Sequence, residues 1–203
     1  MTNVSDPVEK KYLIGAADVR KAIELIAGAE AVAIERIVST YDIDRDVRTF
    51  NGGMPIVAHP PCRAWSAFCA HQAKPLPGEK DLGPLCVEWL KKCGGVLEHP
   101  AHSRLWDACG LPKPGQCSRG DLWSMELRQA WFGDSREKKT WLLCCGLWCG
   151  DLPSMPFVLR STQGDRRRWQ LMGNTQRAAT VPAFAEWLVA IARISQLKEA
   201  VTT

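Results

Sequence analysis

The side chains best suited to chemistry stand in two proline-stopped segments, His59-Pro60-Pro61-Cys62 and Glu98-His99-Pro100. A cysteine just past a strand and at the start of a helical segment can have its thiolate stabilised by backbone amides, which makes it a nucleophile near neutral pH. A glutamate partly buried at a neighbouring tip has its acid form favoured by desolvation and can donate a proton or a hydrogen bond. Cys62 and Glu98 are therefore the expected catalytic pair. Cationic side chains bunch downstream at Arg136, Lys138 and Lys139, and again at Arg166, Arg167 and Arg168 beside Trp169. Either cluster can meet phosphates, and either can serve as a plain solvated face. Trp65, Trp131 and Trp148 are candidate stacking surfaces, although nine tryptophans in 203 residues must mostly pack in the interior.

Short apolar runs must hold these groups. Ile56, Val57 and Ala58 read as a buried strand opened by Pro55 and closed by Pro60 and Pro61. Val96 and Leu97 lead in the same way into Glu98, and Thr140 to Cys145 forms a third apolar run closed by Gly146. Between the first two, Leu82, Leu85, Cys86, Trp89, Leu90 and Cys93 recur at helical spacing, and Gly94 and Gly95 stop the helix. A second helix is expected from 180 to 199, with Pro182 in its first turn and Phe184, Trp187, Leu188, Ile191 and Ile194 along one stripe. Val19, Ile23, Leu25 and Ile26 suggest a helix over 17 to 29, while 31 to 40 suits a strand or a continued helix. Unalternating strands separated by helices point to an α/β fold with a mostly parallel sheet flanked by helices. Ligands collect outside the carboxyl ends of such strands, so the Cys62 and Glu98 tips should share a crevice. We expect one domain over 1 to 203: a divergent part to residue 50, a core over 55 to 146, irregular loops over 147 to 179, and the closing helix.

Pro60-Pro61-Cys62 with Ser66 resembles the nucleophile motif of DNA cytosine-C5 methyltransferases, and Glu98-His99-Pro100 resembles their Glu-Asn-Val motif. Phe132-Gly133 with Arg136 to Lys139 and Thr140 to Leu143 is similar to the basic segment and strand that follow there, and Gly173-Asn174 is similar to the closing motif. The likeness is greatest to short phage-encoded relatives with a His-Pro-Pro-Cys motif. It implies a reduced Rossmann-like, methyltransferase-like fold in which the Cys62 thiolate adds to C6 of a pyrimidine and Glu98 stabilises the ring at N3. It also implies substrate contacts from His59, Pro61, Arg63, Ser66, His99, Arg136, Lys138 and Lys139. The partner would be DNA or a pyrimidine nucleotide, with the base flipped out of any duplex. The family's donor is S-adenosylmethionine, held by a Gly-rich loop after the first strand. Gly15, Gly28, Gly52 and Gly53 do not form such a loop, and Asp42, Asp44 and Asp46 offer only a carboxylate.

That departure keeps a second class open: a degenerate methyltransferase-fold protein that binds nucleic acid or a host defence protein without catalysis. A third is a small metal or redox protein, since His59, Cys62, Cys69 and His71 lie close together, as do Cys144, Cys145 and Cys149. No two cysteines are separated by two residues, although Cys145 to Cys149 falls within permitted ligand spacing, and no metal is expected. His102 reads as a loop or helix-start polar group, and Cys86 and Cys93 as part of the helical stripe. Composition narrows the rest: 46% apolar and 24% charged residues exclude a disordered chain, and a net charge of +4 permits nucleic acid without arguing for it. Nine cysteines, an odd number, suggest a reducing compartment. With no signal-like start and no apolar run of spanning length, neither secretion nor a membrane is expected. The expected compartment is the cytoplasm, that of a bacterial host if the chain is phage-encoded.

Overall fold

Apolar columns on both sides of each central strand require cover on both sides, and two helices supply it. The computed structural model describes residues 11–15, 38–42, 44–67, 74–116, 122–135, 137–158 and 180–195. Its strands are β1 (Lys11–Gly15), β2 (Val38–Tyr41), β3 (Ile56–His59), β4 (Gly95–Pro100), β5 (Leu122–Arg128) and β6 (Lys139–Cys145). Its α-helices are α1 (Leu82–Cys93), the short α2 (Leu105–Ala108) and α3 (Pro182–Ile194). The strands form a six-stranded sheet in the order β2-β1-β3-β4-β6-β5.

β2, β1, β3 and β4 pair in parallel, whereas β6 is antiparallel to both β4 and β5. The expectation of a mostly parallel sheet is thus corrected to a mixed one. Burial on both faces explains unalternating runs but says nothing of direction. The connection from β5 to β6 is a short 3-10 turn, Gln129–Phe132, and a few more residues, too short for the crossover a parallel neighbour needs.

Successive strand residues point to opposite faces. Ile56, Ala58, Leu97, Leu143 and Cys145 join the cluster built on α1, with Cys86, Val87 and Leu90 beneath them. Val57, Val96, Leu142 and Cys144 join the cluster on α3, with Phe184, Trp187, Leu188 and Ile191. α1 ends where expected: Gly94 takes a φ of 74° and returns its amide to the Leu90 carbonyl. The closing helix is present with Pro182 in its first turn, but it is shorter than the expected 180 to 199: Val181 rather than Thr180 holds the capping position, and the helix stops at Ile194 with Ser195 as its C-cap. Gly95, at a φ of +117°, lets β4 close on β3: a Cβ there would lie 2.0 Å from the Ile56 carbonyl oxygen. β1 and β5 were not read from the sequence. The helix expected over 17 to 29 lies outside the described residues.

Candidate functional site

The α3 side of the sheet changes character at one edge. Moving toward that edge, Val57 is followed by His59, Val96 by Glu98 and Leu142 by Thr140, each two residues on and therefore on the same face. Because β6 is reversed, its first residues meet the last residues of β4, and Thr140 pairs in register with Pro100. Gln129 enters from the turn after β5, its amide bonded to the Lys138 carbonyl at 3.0 Å. Four polar side chains thus converge at the carboxyl ends of the parallel strands.

Glu98 is their centre. His59 Nδ1 lies 3.0 Å from Glu98 Oε2. Gln129 Nε2 donates to Glu98 Oε1 at 3.2 Å and to Thr140 Oγ1 at 3.0 Å, and Thr140 Oγ1 donates to Glu98 Oε1 at 3.1 Å. Beside a carboxylate, Nδ1 is the protonated nitrogen of His59. His59 Nε2 and Gln129 Oε1 are buried without a hydrogen-bond partner.

The charge state of this centre corrects one expectation. Burial by itself would raise Glu98, but the hydrogen bond from His59 and the charge of Lys138 outweigh it and bring the carboxyl down to about 2. Glu98 is therefore an anion and an acceptor near neutral pH, not a proton donor. A second expectation, a thiolate stabilised by helix amides, is corrected too. Cys62 precedes only the 3-10 turn Arg63–Trp65 and makes no side-chain capping bond. The residue is exposed at the lip, yet the surrounding protein desolvates its sulfur enough to raise the thiol, and the charge of Glu98 adds to that. Glu98 and Cys62 are close enough to feel each other electrostatically, and Lys138 acts on both.

His99 points to the other face, its ring centroid 6.5 Å from that of Trp106. Burial lowers it to about 4. The Pro61 carbonyl lies near enough to favour its protonated form, but neither ring nitrogen makes a hydrogen bond of good geometry. His99 thus backs the Pro60-Pro61 tip from within and stays neutral.

The remaining candidates are dispersed. Arg63 turns to the loop below, its Nε 2.7 Å from Glu79 Oε1, an ion pair outside good hydrogen-bond angles. Ser66 ends the turn after Cys62. Lys138 is half-buried at the site, and Lys139 is exposed with Nζ 3.8 Å from Glu126 Oε1. Arg136, Arg166 to Trp169, Gly173, Asn174, Cys69 and His71 lie outside the described residues. Trp65 is no stacking surface: it is buried, and its indole donates to the Lys80 carbonyl at 3.1 Å. Trp131 is half-buried against Phe157, and Trp148 is 72% exposed. His102 lies in the loop after β4 with its ring against Trp141. Gln129 and Thr140 were not read as site residues. The one available signal was a threonine opening an otherwise apolar run.

Among the described residues, no group of three or more His, Cys, Asp or Glu side chains is placed to hold a metal ion, and no helix is long and apolar enough to cross a membrane. No protein-family model, curated protein or solved structure matches the chain.

Proposed function

We propose that this chain is a reduced Rossmann-like, methyltransferase-like protein that modifies a pyrimidine at C5, in DNA or a nucleotide, with Cys62 adding to ring C6 and Glu98 holding the ring edge. The observation that carries this reading is that β3 and β4 are parallel neighbours, so that the segment bearing Cys62 leaves the sheet on the same side as Glu98, within electrostatic reach of it. The sheet order, a parallel block with one reversed strand next to its edge, supports the fold part of the reading.

S-adenosylmethionine would belong where the strand order reverses, outside the carboxyl ends of β1, β2 and β3. Neither the described residues there nor the sequence fits it. Asp42, just past β2, turns Oδ1 back on the amides of Asp44 and Arg45 at 2.9 and 3.1 Å, and the sequence before Pro55 holds no Gly-rich loop. The reaction proposed is therefore confined to what the chain's own residues do. The thiol proton passes to solvent, the Sγ–C6 bond forms, and the displaced ring electron pair takes a proton at C5. Loss of the original C5 hydrogen and expulsion of the thiolate restore the ring with that hydrogen exchanged.

The test is tritium release from pyrimidines labelled at C5, supplied as nucleotide and as single strand, using the wild type and Cys62→Ala. Release that disappears in the variant, with an unchanged unfolding midpoint, is the expected result. No release from the wild type, or equal release from both, refutes the proposal. A second reading, binding of nucleic acid or a host defence protein without catalysis, is favoured by the raised thiol. It expects ligand binding that survives Cys62→Ala and no exchange at all.

A further inference from the structure

Glu98 has little hydrogen-bonding capacity left, and what remains is of one kind. An ionised carboxylate offers about four lone-pair sites. Oε1 spends two on Gln129 Nε2 and Thr140 Oγ1, at 3.2 and 3.1 Å, which leaves it no site for a ligand. Oε2 accepts from His59 at 3.0 Å and keeps one site. The amide of Gln129 has no choice of orientation, because only its NH2 end can face a carboxylate. Its Oε1 is left buried without a partner as the cost of that choice. Thr140 is similarly committed: it takes a hydrogen from Gln129 at 3.0 Å and passes its own to Glu98. A proton placed on Oε1 would leave the Thr140 hydroxyl hydrogen with nowhere to go. The cluster is built to keep Glu98 an acceptor.

On this basis, and resting on the function proposed above, we infer that Gln129, Thr140 and His59 are positioning residues that select a pyrimidine carrying hydrogen on N3, a uracil or thymine ring, over cytosine. An N3–H supplies the single donor that the remaining Oε2 site needs. Cytosine presents a bare N3 lone pair. Its 4-amino group can reach Oε2, but N3 then faces a carboxylate whose surrounding donors are already spent. A site built to hydrogen-bond a donor discriminates strongly against an analogue that lacks it.

The test is equilibrium binding of three single-stranded oligonucleotides identical except for one central uracil, thymine or cytosine, together with the matching nucleoside monophosphates. Wild-type protein should hold the uracil and thymine probes about tenfold or more tighter than the cytosine probe. In Gln129→Glu a second carboxyl beside Glu98 Oε1 shares a proton with it, weakens Oε2 as an acceptor and moves the preference toward cytosine. Thr140→Val, a milder change of nearly equal volume, moves it the same way by less. Equal or tighter cytosine binding by the wild type overturns the inference, and Cys62-dependent exchange on cytosine would then leave the proposed function standing. A preference unchanged in folded Gln129→Glu also overturns it. Failure to bind or exchange any pyrimidine refutes the proposed function itself.

Discussion

His99 gives the tip that bears Cys62 a pH-dependent support whose size follows from its surroundings. Its imidazole is held at about 4 against an ordinary 6.5, because burial penalises the charged ring and the charge of Glu98 and the Pro61 carbonyl offset that only in part. The native state then binds fewer protons than the unfolded chain between those two values. The contribution is complete above about 6.5 and is lost as the pH falls toward about 4. At about pH 5 the loss amounts to about 2 kcal/mol. With a urea dependence of about 2 kcal/mol per molar for a chain of this size, the unfolding midpoint should fall by about 1 M between pH 8 and pH 5. Glu98 adds little over that interval, since a carboxyl held at about 2 begins to cost stability only below about pH 4.5. Urea titrations of the wild type and His99→Leu at both pH values provide the assay. The leucine keeps the site apolar and removes the titration, so the variant should lose far less of its midpoint on acidification. A drop in the variant as large as that of the wild type would refute the assignment of the acid sensitivity to His99.

Three further outcomes follow from particular contacts. Gly95→Ala should cost about 3 kcal/mol or more, because its Cβ would lie 2.0 Å from the Ile56 carbonyl oxygen at a φ of +117°; a melting temperature equal to that of the wild type contradicts the close approach of β3 and β4. Since the charge of Glu98 helps raise the Cys62 thiol, Glu98→Gln should speed alkylation of Cys62 by iodoacetamide severalfold relative to exposed Cys149, read by peptide mass spectrometry, and a slower rate would show that the two groups do not interact. Buried Glu79 accepts from the Leu76 amide at 2.6 Å and pairs with Arg63 at 2.7 Å, so Glu79→Ala should lower unfolding free energy by about 1–3 kcal/mol; unchanged urea unfolding would mean that the loop after Cys62 is not held by this carboxylate.

Local structure is legible in the sequence where one short segment carries its own signal. α1 is legible because its apolar stripe, its basic last turn and its Gly94 stop all lie within one segment. β3 and β4 are legible because prolines bound them, and the same prolines mark the tips that hold Cys62 and Glu98. β5 escaped because its burial is uneven along its length and its pairing partner lies beyond the following turn. β1 escaped because its strand follows a polar start and pairs on each side with strands far along the chain.

The sequence by itself determined that Cys62 and Glu98 stand at the ends of separate buried strands, because side-chain type, proline stops and hydrophobic runs act over a few residues. Only the tertiary structure decided what those groups are chemically. The reversed β6 brings Thr140 alongside Glu98, and the turn after β5 delivers Gln129 to the same carboxylate. The hydrogen bond from His59 and the charge of Lys138 make Glu98 an anion where burial alone would have made it an acid, and its charge then adds to the desolvation that raises the Cys62 thiol. Protonation states depend on the summed field of neighbours from several strands, and direction and register in a sheet are settled by pairing partners that no single segment contains.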